Sequence, residues 1–141
     1  MDRITVGLEV RPYDVLIGQG VVGQAGVLLR PYARNGRLLI VTDMHVGQHV
    51  LPQFAAALQE EGLSYAAHLL PAGEGSKNWA ELERLVDWLL SEHVERSDHI
   101  VALGGGVVGD ITGFAAHSVK RGCHVVQVPT TLLAQVDSSV G

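Results

Sequence analysis

The stretch HIVALGGGVVGDITGFAAHSVK, residues 99–120, decides how this chain is read. Its apolar run to Leu103 has the composition of a buried strand, and glycines at 104, 105 and 106 remove all side chains before Val107 and Val108 open a helix. Amides at a helix N-terminus have no intrahelical acceptor and lie at the positive end of the helix dipole. A glycine turn that bares them is therefore a cradle for a phosphate or pyrophosphate. Gly104, Gly106 and Gly109 also fit the pattern G-x-G-x-x-G. The usual dinucleotide fingerprint places an acid about 20 residues further on, at the end of the next strand, and here that strand, CHVVQVP, has none. The glycines make either a tight strand-to-helix turn alone or a cradle of another arrangement. Asp110 favours the second reading: one residue past Gly109 it would repel a bare phosphate, which suits it to a neutral amide or hydroxyl of the ligand.

Working outward, the alternation in MDRITVGLEVRPYDVLIG predicts strands at 3–10 and 14–18 joined through Arg11-Pro12-Tyr13, then a short helix from Val22 to about Arg30. Asn35-Gly36 marks a turn. RLLIVTD is a buried strand ending on Asp43, helical spacing runs from about Val46 to Gly62, and LSYAAHLL is a further strand. NWAELERLVDWLLSEHV reads as a helix capped by Asn78, with Leu82, Leu85, Val86, Leu89 and Leu90 on one stripe. After the glycine unit come the strand HVVQVP, a proline break and a short helical turn. The alternation from about residue 37 predicts one α/β domain over 1–141, a Rossmann-like parallel sheet with helices on both faces, preceded by an N-terminal strand pair.

Ligands of such sheets sit at the carboxyl ends of the strands. Those ends carry Asp43, the PAGEGSK loop, GGGVVGD and PTTLLAQVDSSVG, and all four are expected on one edge. Asp43 either accepts the hydroxyls of a ribose or caps the following helix. Glu74 and Lys77 either bind one ligand or pair with each other, and Gly73 and Gly75 favour the former by letting backbone approach. Thr130 and Thr131 offer hydroxyls to a phosphate or amide, or a cap for the next turn. Asp137 with Ser138 and Ser139 suits a hydroxyl-rich substrate or an ordinary loop. Arg121, in a basic turn at the opposite end of the sheet, reaches a ligand only from a partner subunit.

At 141 residues and 47% hydrophobic, the chain holds one domain with a real core. Ten basic and 15 acidic residues give a formal charge of -5 with no basic run, which argues against nucleic acid. The N-terminus is neither a signal peptide nor a membrane span. Cys123, alone and inside an apolar strand, reads as core, and a cytoplasmic protein fits. His45 and His49 share helical spacing without an intervening Glu, the other histidines are dispersed, and no metal site is expected in this segment.

GGGVVGDITGFAA, the RG before an apolar strand, VPTTLLAQVDSSVG and the P-x-G-E-x-x-K form of PAGEGSK together resemble the 3-dehydroquinate synthase family, in the same order over essentially the whole chain. The resemblance implies the NAD-binding part of a shikimate-pathway lyase that turns 3-deoxy-D-arabino-heptulosonate 7-phosphate into 3-dehydroquinate and phosphate. The implied course is transient oxidation by NAD, phosphate elimination, re-reduction, ring opening and aldol closure. It implies NAD contacts at Asp43, Gly73, Glu74, Lys77, Gly105, Gly106, Val107, Gly109, Asp110, Thr130 and Thr131. On the substrate side it implies Asp137, together with Arg121 acting across a homodimer interface. The family's motif continues past SSVG with a glycine and a lysine that acts at the substrate, and the Glu and His ligands of its divalent metal, zinc or cobalt, lie in a helical C-terminal domain absent from this sequence, so this stretch alone is expected to be inactive. Ala72 and His45 depart from the family's pattern. Three rivals remain: a metal-dependent polyol dehydrogenase, against which Val107 argues where that group has serine; a sibling sugar-phosphate cyclase; and a noncatalytic NAD-binding module.

Overall fold

A computed structural model describes residues 2–6, 13–17, 22–73, 77–119 and 123–130. In chain order the elements are β1 (Asp2–Val6), β2 (Tyr13–Ile17), α1 (Ala25–Leu29), β3 (Arg37–Asp43), α2 (Met44–His49), α3 (Leu51–Glu60), β4 (Ser64–Leu70), α4 (Trp79–Ser91), β5 (His99–Gly104), α5 (Gly106–Ser118) and β6 (His124–Pro129). The strands form one six-stranded sheet in the order β1-β2-β6-β5-β3-β4. β1 and β2 are antiparallel, and every other pairing is parallel. The expected α/β architecture with an N-terminal strand pair is thus what the chain adopts.

Parity along the inner strands divides the core. Leu38 and Ile40 of β3 with Val101 and Leu103 of β5 pack under α1, α2 and α3, against Leu29, Phe54 and Leu58. Leu39 and Val41 with Ile100 and Ala102 face the other way, under Leu85 and Leu89 of α4 and Ile111 and Ala115 of α5. Both faces of β3 and β5 are therefore covered, as continuous apolar runs in a parallel sheet require. Each fully buried large aliphatic contributes about 1.5–3 kcal/mol of transfer free energy.

Several boundaries differ from the sequence reading. The helix expected from Val46 to Gly62 is two, α2 and α3, broken at Val50 with φ −117°. Pro52, in the first turn of α3, has no N–H and crowds the carbonyl four residues back, so the chain restarts its helix there. Tyr13 lies in β2 opposite Val6 and not in the connection, and the expected strand residues 7–10 and 18 fall outside the described residues. The helix near residue 22 is a 3₁₀ turn, the short α1 and a second 3₁₀ turn at Arg30–Tyr32. Leu90, placed on the buried stripe, is 47% exposed. Asn35 and Gly36 do form a turn, both at positive φ. Asn78 caps α4 by accepting the Glu81 N–H at 2.9 Å.

The amino-end edge of the sheet is tied by charge. The Asp98 carboxylate, largely buried, accepts the Arg34 guanidinium at both oxygens and the Glu95 N–H at 2.7 Å. Arg37 pairs with Glu92 at 2.9 Å. Cys123 is buried core, its thiol donating to the Glu95 carbonyl at 3.4 Å. These contacts lie at the opposite end of the sheet from the glycine turn.

His68 of β4 packs its ring 5.3 Å from that of Trp88 in α4, with Nε2 buried and unpartnered among the described residues. Burial holds its pKa below the ordinary imidazole value, and the Glu81 carboxylate offsets this in part. An unfolded chain then takes up the proton first, so the stabilisation is complete above about pH 6.5 and is lost as pH falls toward the lower folded value. Denaturant unfolding between pH 7.5 and 5 is expected to show wild type losing up to about 1.4 kcal/mol more per pH unit than His68→Leu over part of that range. Parallel curves would show that His68 carries no such linkage. Asp98→Ala, which strands Arg34 and the Glu95 amide, is expected to cost about 3 kcal/mol by the same measurement.

Candidate functional site

The connections dictate where a ligand meets this sheet. From β3 the chain crosses by α2 and α3 to β4 on one side, then returns by α4 to β5 on the other side of β3 and continues to β6. Strand order therefore reverses between β3 and β5, and the crossovers leave those two strand ends in opposite directions. A crevice opens at the carboxyl ends of strands at such a reversal. The ladder between β3 and β5 closes at Val41 and Ala102, while β3 runs on to Asp43 and β5 to Gly104. Asp43, the glycine turn after Leu103 and Thr130 are the expected residues that the described structure brings to this end of the sheet.

Gly104 has φ +153°, a conformation that L side chains rarely adopt, and a Cβ there would stand 3.0 Å from Cγ2 of Val108. The strand turns sharply into α5 beneath that valine. Gly105 is the N-cap, in extended conformation, with no side chain to fill the position. Its carbonyl receives the Gly109 N–H at 3.1 Å, which starts the helix. The N–H groups of Gly106, Val107 and Val108, in the first turn, precede any intrahelical acceptor and face outward along the helix axis. At Gly106 a Cβ would meet nothing within 4 Å, and since Cα–Cβ bonds lean toward the helix N-terminus it would project into the space before those amides. The turn is thus shaped by Gly104 and kept open by Gly106.

Asp43 resolves one alternative by allowing both. Its carboxylate accepts the Val46 N–H at 2.7 Å, capping α2, and one carboxylate oxygen remains for a ligand hydroxyl. The Thr130 N–H donates to the Gly104 carbonyl at 3.1 Å, pinning the end of β6 beside the turn. Its buried Oγ1, like that of Thr42 just before Asp43, has no partner among the described residues. Buried hydroxyls are seldom left so, and two of them at strand ends bordering one crevice mark it as a place where polar groups are met.

Glu74, the expected partner of Lys77 in a merely solvated loop, lies outside the described residues, and Lys77 reaches Asp110 at 3.2 Å across the gap between the loop before α4 and the start of α5. Both side chains are exposed, so the pair opens at little cost. Gly73 has φ +81° in that loop. Gly109 is buried near the start of α5. Glu74, Thr131, Arg121 and Asp137 lie outside the described residues. Two aromatic residues beside Asp110 and Lys77 escaped the sequence reading, Trp79 at 80% and Phe114 at 64% exposure. Trp79 lies three residues before Leu82 on the stripe of α4, a spacing that reads as core. With Leu82 and Ile111 they line a groove of about 580 Å³ between α4 and α5.

The arrangement is a helix N-terminus, a spare carboxylate, an orphaned hydroxyl and an openable ion pair around one crevice. It can hold an anion on main-chain amides with hydroxyl-bearing groups on either side. Gly104→Ala is expected to lower stability by about 1–3 kcal/mol through forced backbone strain. Gly106→Ala is expected to stay within about 1 kcal/mol of wild type. Thermal unfolding of the two variants checks both, and equal melting temperatures would refute the turn geometry.

Comparison with known proteins places this arrangement. The family model described as 3-dehydroquinate synthase N-terminal matches residues 67–141. A 3-dehydroquinate synthase of Cereibacter sphaeroides is 54% identical over 100% of this chain and 38% of its own length. One from Paracoccus denitrificans is 50% identical over the same shares. The chain therefore spans well under half the length of these curated relatives. Among solved structures, a 2-epi-5-epi-valiolone synthase from Streptomyces hygroscopicus with NAD+ and Zn2+ bound superposes with TM-score 0.80 at 29% identity, over 94% of this chain and 36% of its own. A 2-deoxy-scyllo-inosose synthase, TM-score 0.76 at 23% identity over 97% of this chain and 38% of its own, shares the fold.

Proposed function

The chain belongs to the 3-dehydroquinate synthase N-terminal family, and from that premise we propose that it forms the NAD-binding portion of a 3-dehydroquinate synthase. The reaction proposed for the whole protein converts 3-deoxy-D-arabino-heptulosonate 7-phosphate to 3-dehydroquinate with loss of phosphate, in aromatic amino acid biosynthesis. The observation that carries the reading is the open first turn of α5 at the reversal of strand order. Two features fit a dinucleotide there: the space a Cβ at Gly106 would fill, and the buried Thr130 hydroxyl without a partner among the described residues.

In this proposal the amides of Gly106 and Val107 hold the pyrophosphate, with Gly105 keeping the turn bare and Gly109 letting α5 lie close to the sheet. Asp43 accepts ribose hydroxyls through its remaining carboxylate oxygen. Gly73, Glu74 and Lys77 border the coenzyme from the loop before α4. Asp110, released from Lys77, accepts from a neutral donor, and Thr130 and Thr131 supply hydroxyls at the end of β6. When bound, NAD supplies reversible hydride transfer, the chemistry that a redox-neutral elimination needs at a ring hydroxyl. Asp137 is assigned to the sugar-phosphate substrate, and Arg121 to its phosphate across a homodimer interface. Among the described residues no three His, Cys, Asp or Glu side chains group to hold a metal ion, and we assign the divalent metal, zinc or cobalt, to the polypeptide that relatives carry outside this stretch. Among the described residues no helix is long and apolar enough to cross a membrane, and a cytoplasmic protein without nucleic-acid partners fits the acidic composition.

Calorimetric titration of NAD is the test, made on this chain continued by the remainder of the Cereibacter sphaeroides relative. Gly106→Ala, neutral for stability, is expected to weaken NAD binding by about 1.4 kcal/mol or more, tenfold in Kd, and Asp110→Ala to weaken it less. Equal affinities for wild type and Gly106→Ala remove the cradle. The same protein is expected to release phosphate from the heptulosonate phosphate without net NADH; net NADH formation from a polyol would instead assign it to the dehydrogenases.

A further inference from the structure

We propose that His45 and His49 form a surface site for a late divalent transition-metal ion, held between their two imidazoles on α2. The residues are four apart, so a helix stacks them on one face. Their ring centroids lie 4.6 Å apart with the ring planes at 55°. With each nitrogen about 2.0–2.1 Å from an ion, two imidazoles bound side by side have centroids about 4.5–5 Å apart. The rings therefore hold the separation that a shared ion requires. Both residues are exposed, and neither imidazole has a hydrogen bond or ion pair among the described residues. The Glu that a metalloprotease helix carries between its histidines is a general base, so its absence here removes that chemistry and not a ligand.

The backbone beneath the pair is fixed. Asp43 caps the first turn of α2 by accepting the Val46 N–H at 2.7 Å, and the Val50 N–H closes the last turn on the Val46 carbonyl at 2.8 Å. Val46 is buried, and Gly47 lies so close to β4 that a Cβ there would stand 2.8 Å from Cδ2 of Leu69. α2 is thus held on the side away from the histidines, and binding costs the freedom of two side chains without a backbone rearrangement. The donor set chooses the ion. Neutral imidazole suits Cu2+, Ni2+ and Zn2+, whereas Ca2+ and Mg2+ take oxygen ligands, and the Irving–Williams order puts Cu2+ first. Among the described residues no third His, Cys, Asp or Glu joins the pair, so water completes the coordination and the ion exchanges readily. The site stands whether or not a coenzyme binds at the crevice.

Calorimetric titration of Cu2+ into this chain, with electron spin-echo modulation of the copper complex counting its imidazoles, is the test. Wild type is expected to carry copper on two imidazoles. His45→Ala and His49→Ala are each expected to weaken that binding about tenfold or more, since the second imidazole acts at high effective concentration, and to leave one imidazole on the metal. Met44→His/His45→Ala keeps the number of histidines but sets the pair five residues apart, off a shared face. Met44 is 56% exposed, and this variant is expected to behave as His45→Ala does. His117→Ala, which removes an exposed histidine of α5, is expected to match wild type. All four variants replace exposed side chains, and circular dichroism is expected to show the fold retained in each. Equal affinity in wild type and both single variants overturns the proposal, as does a wild-type complex with a single imidazole or no binding at all. Undiminished binding by Met44→His/His45→Ala overturns it as well, by showing that histidine number and not the helical pair decides.

Discussion

Gly104 joins strand to helix at a φ of +153°, directly beneath the side chain of Val108. That one backbone conformation sets the rest of the site. It brings the first turn of α5 over the end of β5, lets the Gly104 carbonyl take the Thr130 amide from β6, and leaves the next amides without intrahelical acceptors. A side chain at this point would either push Val108 out of the core or move the helix axis away from the crevice. The anion cradle and the close packing of α5 on the sheet are therefore one constraint, with Val108 acting on both.

The sheet turns that local device into a site. β3 and β5 are neighbours whose crossovers leave in opposite directions, so a crevice opens between their ends at Asp43 and Gly104. The opposite edge is built differently. There Asp98 gathers Arg34 and the Glu95 amide, and Arg37 reaches Glu92, satisfying polar groups locally. One end of the sheet is closed by charge pairing, and the other carries threonine hydroxyls without partners among the described residues and an exposed, easily opened ion pair. Stability and binding are in this way assigned to opposite ends of the same parallel strands.

Side chains at the open edge serve two ends at once. Asp43 caps α2 and keeps an oxygen for a ligand; Lys77 and Asp110 neutralise each other until something between them competes. Beside that pair the apolar residues Trp79 and Phe114 are exposed, at a cost in hydration. The polar edge and the apolar groove adjoin through Lys77 and Asp110.

The sequence by itself determined the alternation of strand and helix, the two-faced core and the gathering of Asp43, the glycine turn and Thr130 on one edge. Each of these follows from local periodicity together with the rule that parallel strands align their carboxyl ends. It did not show the break between α2 and α3, although Pro52 was there to be read, because apolar spacing continues through the proline while the hydrogen-bond ladder does not. It could not bring Lys77 and Asp110 together, which lie far apart along the chain: only the packing of α4 beside α5 places them within 3.2 Å. Nor could it separate Leu85 from Leu90 on one helical stripe, or find Trp79 and Phe114 in the open, since the period of a helix fixes which residues share a face and only the neighbouring elements decide which face is covered.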